Sequence, residues 1–356
     1  MKAKMLNLQD LPDEVILKIL SYQRAKELIS CGQVSTRIRK ISHDGTLWTT
    51  ANLEKKIVKA EFLEMILGKG CRNLNLCHSR ILGRFSSNLK SQLSVLKWFQ
   101  TPFQPECECN IINCNCVDDK EDETQYVLEE LLSSCCSLQH LVIEDVFITL
   151  KMMVSICENG KTLQTLKLNK SYFDFLENDS LDDNNTFASN YLQEIIKCCQ
   201  ELKEVDLAYV NGAEGLEEDD LELLVRNISP NVENLNLISS YIKDDHVKTL
   251  LRRCNKIKAL SLEPLLITDD SLKNIRQHLN HTLEELSLGP NDGQAMNRHL
   301  GQDNYYDMIV ILPSLFGLKS MQRLKLLNLC YIKDDSEEIQ NLRQQLPHLM
   351  IKGVLN

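Results

Sequence analysis

Val232-Glu233-Asn234-Leu235-Asn236-Leu237 is answered by Ile257-Lys258-Ala259-Leu260-Ser261-Leu262 and again by Leu283-Glu284-Glu285-Leu286-Ser287-Leu288, starts that lie 25 and 26 residues apart. Working outward, the same apolar-x-x-Leu-x-Leu pattern, with substitutions, begins at Cys71, Leu138, Leu163, Leu202 and Leu324, with weaker copies at Leu93 and Leu346. The wider gaps, from 163 to 202 and from 283 to 324, read as single units carrying insertions. Self-similarity at a fixed period of this size marks a solenoid, in which each unit stacks on the next.

Every unit has a second half. Ile242-Lys243-Asp244-Asp245, Ile267-Thr268-Asp269-Asp270 and Ile332-Lys333-Asp334-Asp335 follow their strands, and the aspartates are suited to cap a helix by accepting from its free first-turn N–H groups. Val247, Leu250, Leu251 and Cys254 then recur at helical spacing. Three residues before each new apolar start stands a small residue: Cys135, Gly160, Cys199, Ser229, Cys254 or Asn280. Its size suits a helix end tucked under the next strand, so these cysteines read as buried small hydrophobes. A short strand followed by a helix turns alternate leucines inward, and one unit alone cannot bury them.

The expected fold is therefore an α/β solenoid, with parallel strands on the concave side of an arc and about eight to ten repeats. The period, the Ile-x-Asp-Asp segment and the cysteine at the helix end resemble the cysteine-containing class of leucine-rich repeat. The resemblance covers residues 71–356, with acidic insertions expected near 101–127, 169–190 and 289–307.

A different segment precedes the repeats. Pro12 suits the first turn of a helix, where its missing N–H costs nothing. Val15, Ile16, Ile19 and Leu20 then form an apolar helical face. Further helices are expected over 25–31 and 35–42, followed by Leu47-Trp48. Leu11-Pro12-Asp13-Glu14, Leu28-Ile29-Ser30-Cys31 and Leu47-Trp48 resemble an F-box, with Ser35 and Ile38 standing where that family commonly has a cysteine and an aromatic. The segment at 1–52 is thus expected to be a three-helix F-box, with 53–70 a linker and capping helix. An F-box followed by leucine-rich repeats implies the substrate-recognition subunit of an SCF-type cullin–RING ubiquitin ligase. By that resemblance Leu11, Pro12, Val15, Ile16, Ile19, Leu28, Ile29, Ile38, Leu47 and Trp48 face the Skp-type adaptor or form the motif's core. A plain N-terminal cap for the solenoid is the alternative. Three helices of this length bury little alone, and the apolar residues exceed what a cap requires.

Composition sets the outer limits. Apolar residues make up 43% and charged residues 25%, as in an ordinary globular chain. Residues 1–10 hold no apolar run long enough for a signal peptide, and the longest runs, such as Met308 to Leu312, fall far short of the ~20 residues that span a bilayer. A cytoplasmic or nuclear protein without a membrane partner is expected, and its 14 cysteines are expected to be reduced. Residues 1–60 carry 11 Lys/Arg against 6 Asp/Glu, whereas the rest carries 29 against 44. A basic head on an acidic body implies different partners for the two, and an acidic body repels a nucleic-acid backbone.

Cys107, Cys109, Cys114 and Cys116 form two Cys-x-Cys pairs that four-coordinate zinc would suit, although such sites usually use Cys-x-x-Cys. An acidic loop is the competing reading, so no metal and no cofactor are assigned. No phosphate loop, nucleophile elbow or zinc-protease motif occurs, and no catalytic residue is expected. Substrate contacts are expected from strand residues between the buried leucines. One column holds His140, Thr165, Glu204, Asn234, Ala259 and Glu285; the next holds Val142, Lys167, Asp206, Asn236, Ser261 and Ser287. A basic protein segment suits the acidic body. A repeat scaffold without a ligase link and a zinc-dependent interaction protein are the other readings.

Overall fold

The computed structural model describes residues 10–82, 124–133, 135, 137–173, 186–211, 215–216, 218–289, 314–333 and 335–355. The cysteines Cys107, Cys109, Cys114 and Cys116, the repeat start at Leu93 and most of the three insertions lie outside these residues. The chain forms two compact units, residues 1–138 and 139–356. No described helix is long and apolar enough to cross a membrane.

The first unit opens with α1 (Asp13–Leu20), α2 (Ala25–Gly32) and α3 (Thr36–Ser42), closed by a 3-10 turn at Gly45–Trp48. Pro12 precedes α1 at φ −57°, an angle its ring favours, and Asp13 and Glu14 sit at the positive end of the helix. Ser35 caps α3, accepting from the Ile38 N–H at 3.1 Å. The residue that departs from the commoner cysteine thus has a local role. Ile16, Leu20, Leu28, Ile29, Ile38, Ile41 and Trp48 are buried and form the core of the bundle.

A strand–helix unit then begins earlier than the first leucine motif. β1 (Thr50–Asn52), β2 (Ile57–Lys59) and α4 (Ala60–Gly68) precede β3 (Asn73–Asn75) and β4 (Arg80–Leu82), and α5 (Thr124–Ser133) follows. β1 pairs with β3 and β2 with β4, both parallel. Residues 50–68 therefore build one repeat of the same kind, overlapping both the expected F-box end at 52 and the expected linker and capping helix at 53–70. Its strand reads Thr-Ala-Asn, with the small Ala51 as the inward residue, so no Leu-x-Leu announces it.

The second unit repeats the theme. Its strands are β5 (His140–Val142), β6 (Phe147–Ile148), β7 (Thr165–Lys167), β8 (Tyr172–Phe173), β9 (Glu204–Asp206), β10 (Asn234–Leu237), β11 (Ala259–Leu262), β12 (Glu285–Leu288), β13 (Leu326–Lys333) and β14 (Met350–Leu355). Its helices are α6 (Leu150–Glu158), α7 (Thr186–Cys198), α8 (Glu218–Asn227), α9 (Asp244–Arg253), α10 (Asp269–Leu279) and α11 (Glu337–Gln345). One parallel sheet runs β5-β7-β9-β10-β11-β12-β13-β14, while β6 pairs with β8 alongside it. Leu141, Leu166, Leu235, Leu260, Leu286 and Leu327 are at most 2% exposed. Each contributes about 1.5–3 kcal/mol of burial, and none gains it without its neighbouring unit.

Two devices turn the chain after β9 and β10. Asp206 and Asn236 accept the N–H of Ala208 at 3.1 Å and of Ile238 at 3.2 Å. Three residues later the backbone enters the left-handed region, at Tyr209 (φ 58°) and Ser239 (φ 60°). The small residue at the helix end behaves as expected and also bonds: Ser229 Oγ donates to Gln200 O at 2.7 Å, and Cys254 Sγ to Ser229 O at 3.4 Å. Burial pushes the Cys199 thiol up to about 12 and the Cys254 thiol to about 11.

The paired aspartates differ from expectation. Asp244 is the first residue of α9 and does not cap it; Lys243 holds that position. Its carboxylate reaches into the next unit, accepting from Thr268 N–H (2.8 Å) and Oγ1–H (2.6 Å) and from Ser271 N–H (3.2 Å) and Oγ–H (2.5 Å). Stacking brings the free donors at the start of α10 beside the acid of the preceding unit, and Thr268 caps α10 itself. Ser314 repeats the joint by donating to Asp269.

Candidate functional site

The ten residues expected at the N-terminal motif divide by burial. Ile16, Leu28, Ile29, Ile38 and Trp48 are at most 3% exposed and hold the bundle together. The Trp48 indole N–H donates to Ser42 O at 2.7 Å, and its ring meets Phe62 edge-on at 6.2 Å. Val15 (42% exposed) and Ile19 (39%) lie one turn apart on the outer face of α1, Pro12 is exposed, and Leu11 and Leu47 are half-buried. Tyr22 (74%) and Val34 (69%) extend the exposed apolar set. Tyr22 was legible as the next position of the α1 stripe, three residues past Ile19; Val34 follows α2 and carries no such signal. Lys18 lies over the Tyr22 ring at 5.3 Å. The Arg37 guanidinium donates to Asp13 at 2.6 Å and to Leu11 O at 2.7 Å, anchoring the start of α1 to α3. At the end of α3, burial, then Lys69, then Arg39 hold His43 down to about 4, so it is neutral in the folded protein at neutral pH.

In the second unit the strand register aligns both expected columns. His140 pairs with Thr165, Thr165 with Glu204, Glu204 with Asn234, Asn234 with Ala259 and Ala259 with Glu285. The companion column runs Val142, Lys167, Asp206, Asn236, Ser261 and Ser287. Leu326 and Met350 continue the first column, and Asn328 and Lys352 the second.

Within the columns the side chains have unequal freedom. His140 Nδ1 lies 2.8 Å from Thr165 Oγ1, which donates to Glu204 at 3.2 Å; Lys167 pairs with Glu204 at 2.6 Å. Thr165 and Ser287 are buried, and Asp206 and Asn236 hold the turn after their strands. Burial raises the Asp206 carboxyl, against the lowering effects of the Ala208 N–H and of Lys167. Asn234 and Glu285 are exposed, as is Met350 at 60%. Ion-paired groups thus stand at one end of the columns and open ones at the other.

Residues 8–54 match the F-box-like family model. Among solved structures, the yeast complex of Rad7 and Elc1 matches at 15% identity and TM-score 0.42, covering 95% of this chain and 87% of that one. A leucine-rich-repeat protein of Leptospira interrogans matches at 15% identity and TM-score 0.33, covering 82% and 62%. An F-box-like segment at 8–54 thus precedes stacked parallel strand–helix units, the architecture of a leucine-rich-repeat solenoid.

Proposed function

We propose that the chain is the substrate-recognition subunit of an SCF-type cullin–RING ubiquitin ligase, acting in the cytoplasm or nucleus. The observation that carries this reading is the F-box-like match at 8–54 together with an apolar stripe, Val15, Ile19 and Tyr22, left outside a bundle that already has a core. Such a stripe is what a partner's helices would cover. Leu11, Pro12 and Leu47 join it as the contact set for the Skp-type adaptor. Ile16, Leu28, Ile29, Ile38 and Trp48 support it from below.

The sheet of the second unit then holds a protein substrate. Its action is positional and no residue here is catalytic: the substrate's lysine is kept near a ubiquitin-charged conjugating enzyme, which makes the transfer effectively intramolecular. Proteasomal degradation of the marked substrate follows.

The test is co-precipitation of the adaptor and cullin with wild type and with Val15→Asp/Ile19→Asp. Wild type retains both, and the double variant loses at least ~30-fold in adaptor affinity, equivalent to two moderate interface anchors. Absence of the adaptor from the wild-type sample would leave the repeat scaffold without a ligase link as the reading.

A further inference from the structure

Cys157 is the next-to-last residue of α6 and Cys198 the last of α7, two helices packed against each other in successive repeats. Across the joint Cys198 is the group that, after burial, most raises the Cys157 thiol. The backbones also meet. A Cβ on Gly160 would stand 2.9 Å from Cys157 O and 2.7 Å from Cys198 O, so the two carbonyl oxygens lie no farther apart than those distances summed. Gly160 is therefore the residue that allows the two helix ends to close up, since any side chain there would force them apart. Cys157 Sγ also lies 3.6 Å from Met153 Sδ. Cys198 is exposed and Cys157 half-buried, whereas Cys71, Cys199 and Cys254 are buried.

We propose that Cys157 and Cys198 form a modification site: a dithiol that closes reversibly to a disulfide between adjacent repeats by exchange with a low-molecular-weight disulfide. The exposed Cys198, as thiolate, attacks one sulfur of that disulfide and displaces one small thiolate. Cys157 then loses its proton and attacks Cys198 Sγ in the mixed disulfide, displacing the second. Two small thiols leave with the two protons, and the electron pair taken from the protein sulfurs reduces the disulfide reagent. Burial, then Cys198, push the Cys157 thiol far up, which places it second in this order. Closure ties the repeat that carries His140 to the one that carries Thr165 and Lys167.

The full chain is equilibrated with oxidised glutathione, the remaining thiols are blocked with N-ethylmaleimide, and unreduced peptides are mapped by mass spectrometry. A Cys157–Cys198 linked pair is expected, with a melting temperature raised by roughly 5 °C and restored by reductant. Cys157→Ser is expected to leave Cys198 carrying glutathione without that rise, and Cys198→Ser to leave Cys157 unlinked. Wild type in which Cys198 carries glutathione while Cys157 stays free, or in which either links elsewhere, overturns the proposal.

Discussion

Asp244→Ala removes the acceptor for four donors at the start of α10. Thr268 is exposed, so its N–H and hydroxyl turn to water at little cost. Ser271 is fully buried, and its N–H and hydroxyl have no such recourse. Two charge-assisted bonds to buried donors at about 1.5 kcal/mol each give a loss of about 3 kcal/mol. Because a solenoid's stability rests on nearest-neighbour interfaces, the loss concentrates between α9 and α10. Asp244→Asn keeps one acceptor oxygen and is expected to cost about half as much. The sign with pH follows from the carboxyl itself. Burial raises it, but the bonds from Ser271 and Thr268 outweigh burial, and its folded value lies below the ordinary 3.8. Its contribution is therefore complete above that value and is lost as pH falls through the folded one. Urea unfolding followed by circular dichroism, with hydrogen exchange on the α10 amides, measures both effects. An Asp244→Ala midpoint equal to wild type, or an Asp244→Asn cost as large as that of Ala, would refute the inter-repeat joint.

Trp48→Ala is expected to cost about 3–5 kcal/mol and to weaken adaptor binding by unfolding the bundle. Val15→Asp should bind as poorly while its thermal melt stays near wild type, which separates core from contact surface in a paired melt and pull-down. His43 is held to about 4 against an ordinary 6.5, so it favours the folded state above pH 6.5 and withdraws that support as pH falls toward 4. His43→Asn should flatten the stability curve of the first unit across that window, as read by Trp fluorescence in urea. Glu204→Lys repels Lys167 and reverses a charge in the first column, so capture of a basic substrate in affinity mass spectrometry should fall severalfold, and more steeply at low salt. An unchanged interactor profile would move substrate binding off this face.

How much was legible in advance differs from residue to residue. The 25-residue step between 232 and 257 told which side chains would share a column, because stacked parallel strands bring equivalent positions side by side. The helical spacing of Ile16 and Leu20, and the Leu-Trp pair at 47–48, marked the three-helix bundle in the same way. The Asn or Asp inside Leu-x-Leu, at Asn236 and Asp206, was also a visible turn signal, although it read first as a binding position. Only the folded chain revealed that Thr50–Asn52 starts a repeat, since one alanine with no leucine pair leaves no periodic trace.

The amino-acid order by itself determined the period and the alternation of buried and outward residues, both of which depend on local spacing along one strand or helix. Tertiary structure alone decided that Asp244 serves the following helix, that Lys167 and Thr165 engage Glu204, and that Val15 and Ile19 stay uncovered while Ile16 is buried. Those outcomes depend on which groups packing brings within 3 to 4 Å across a repeat, a distance that no spacing along the chain encodes.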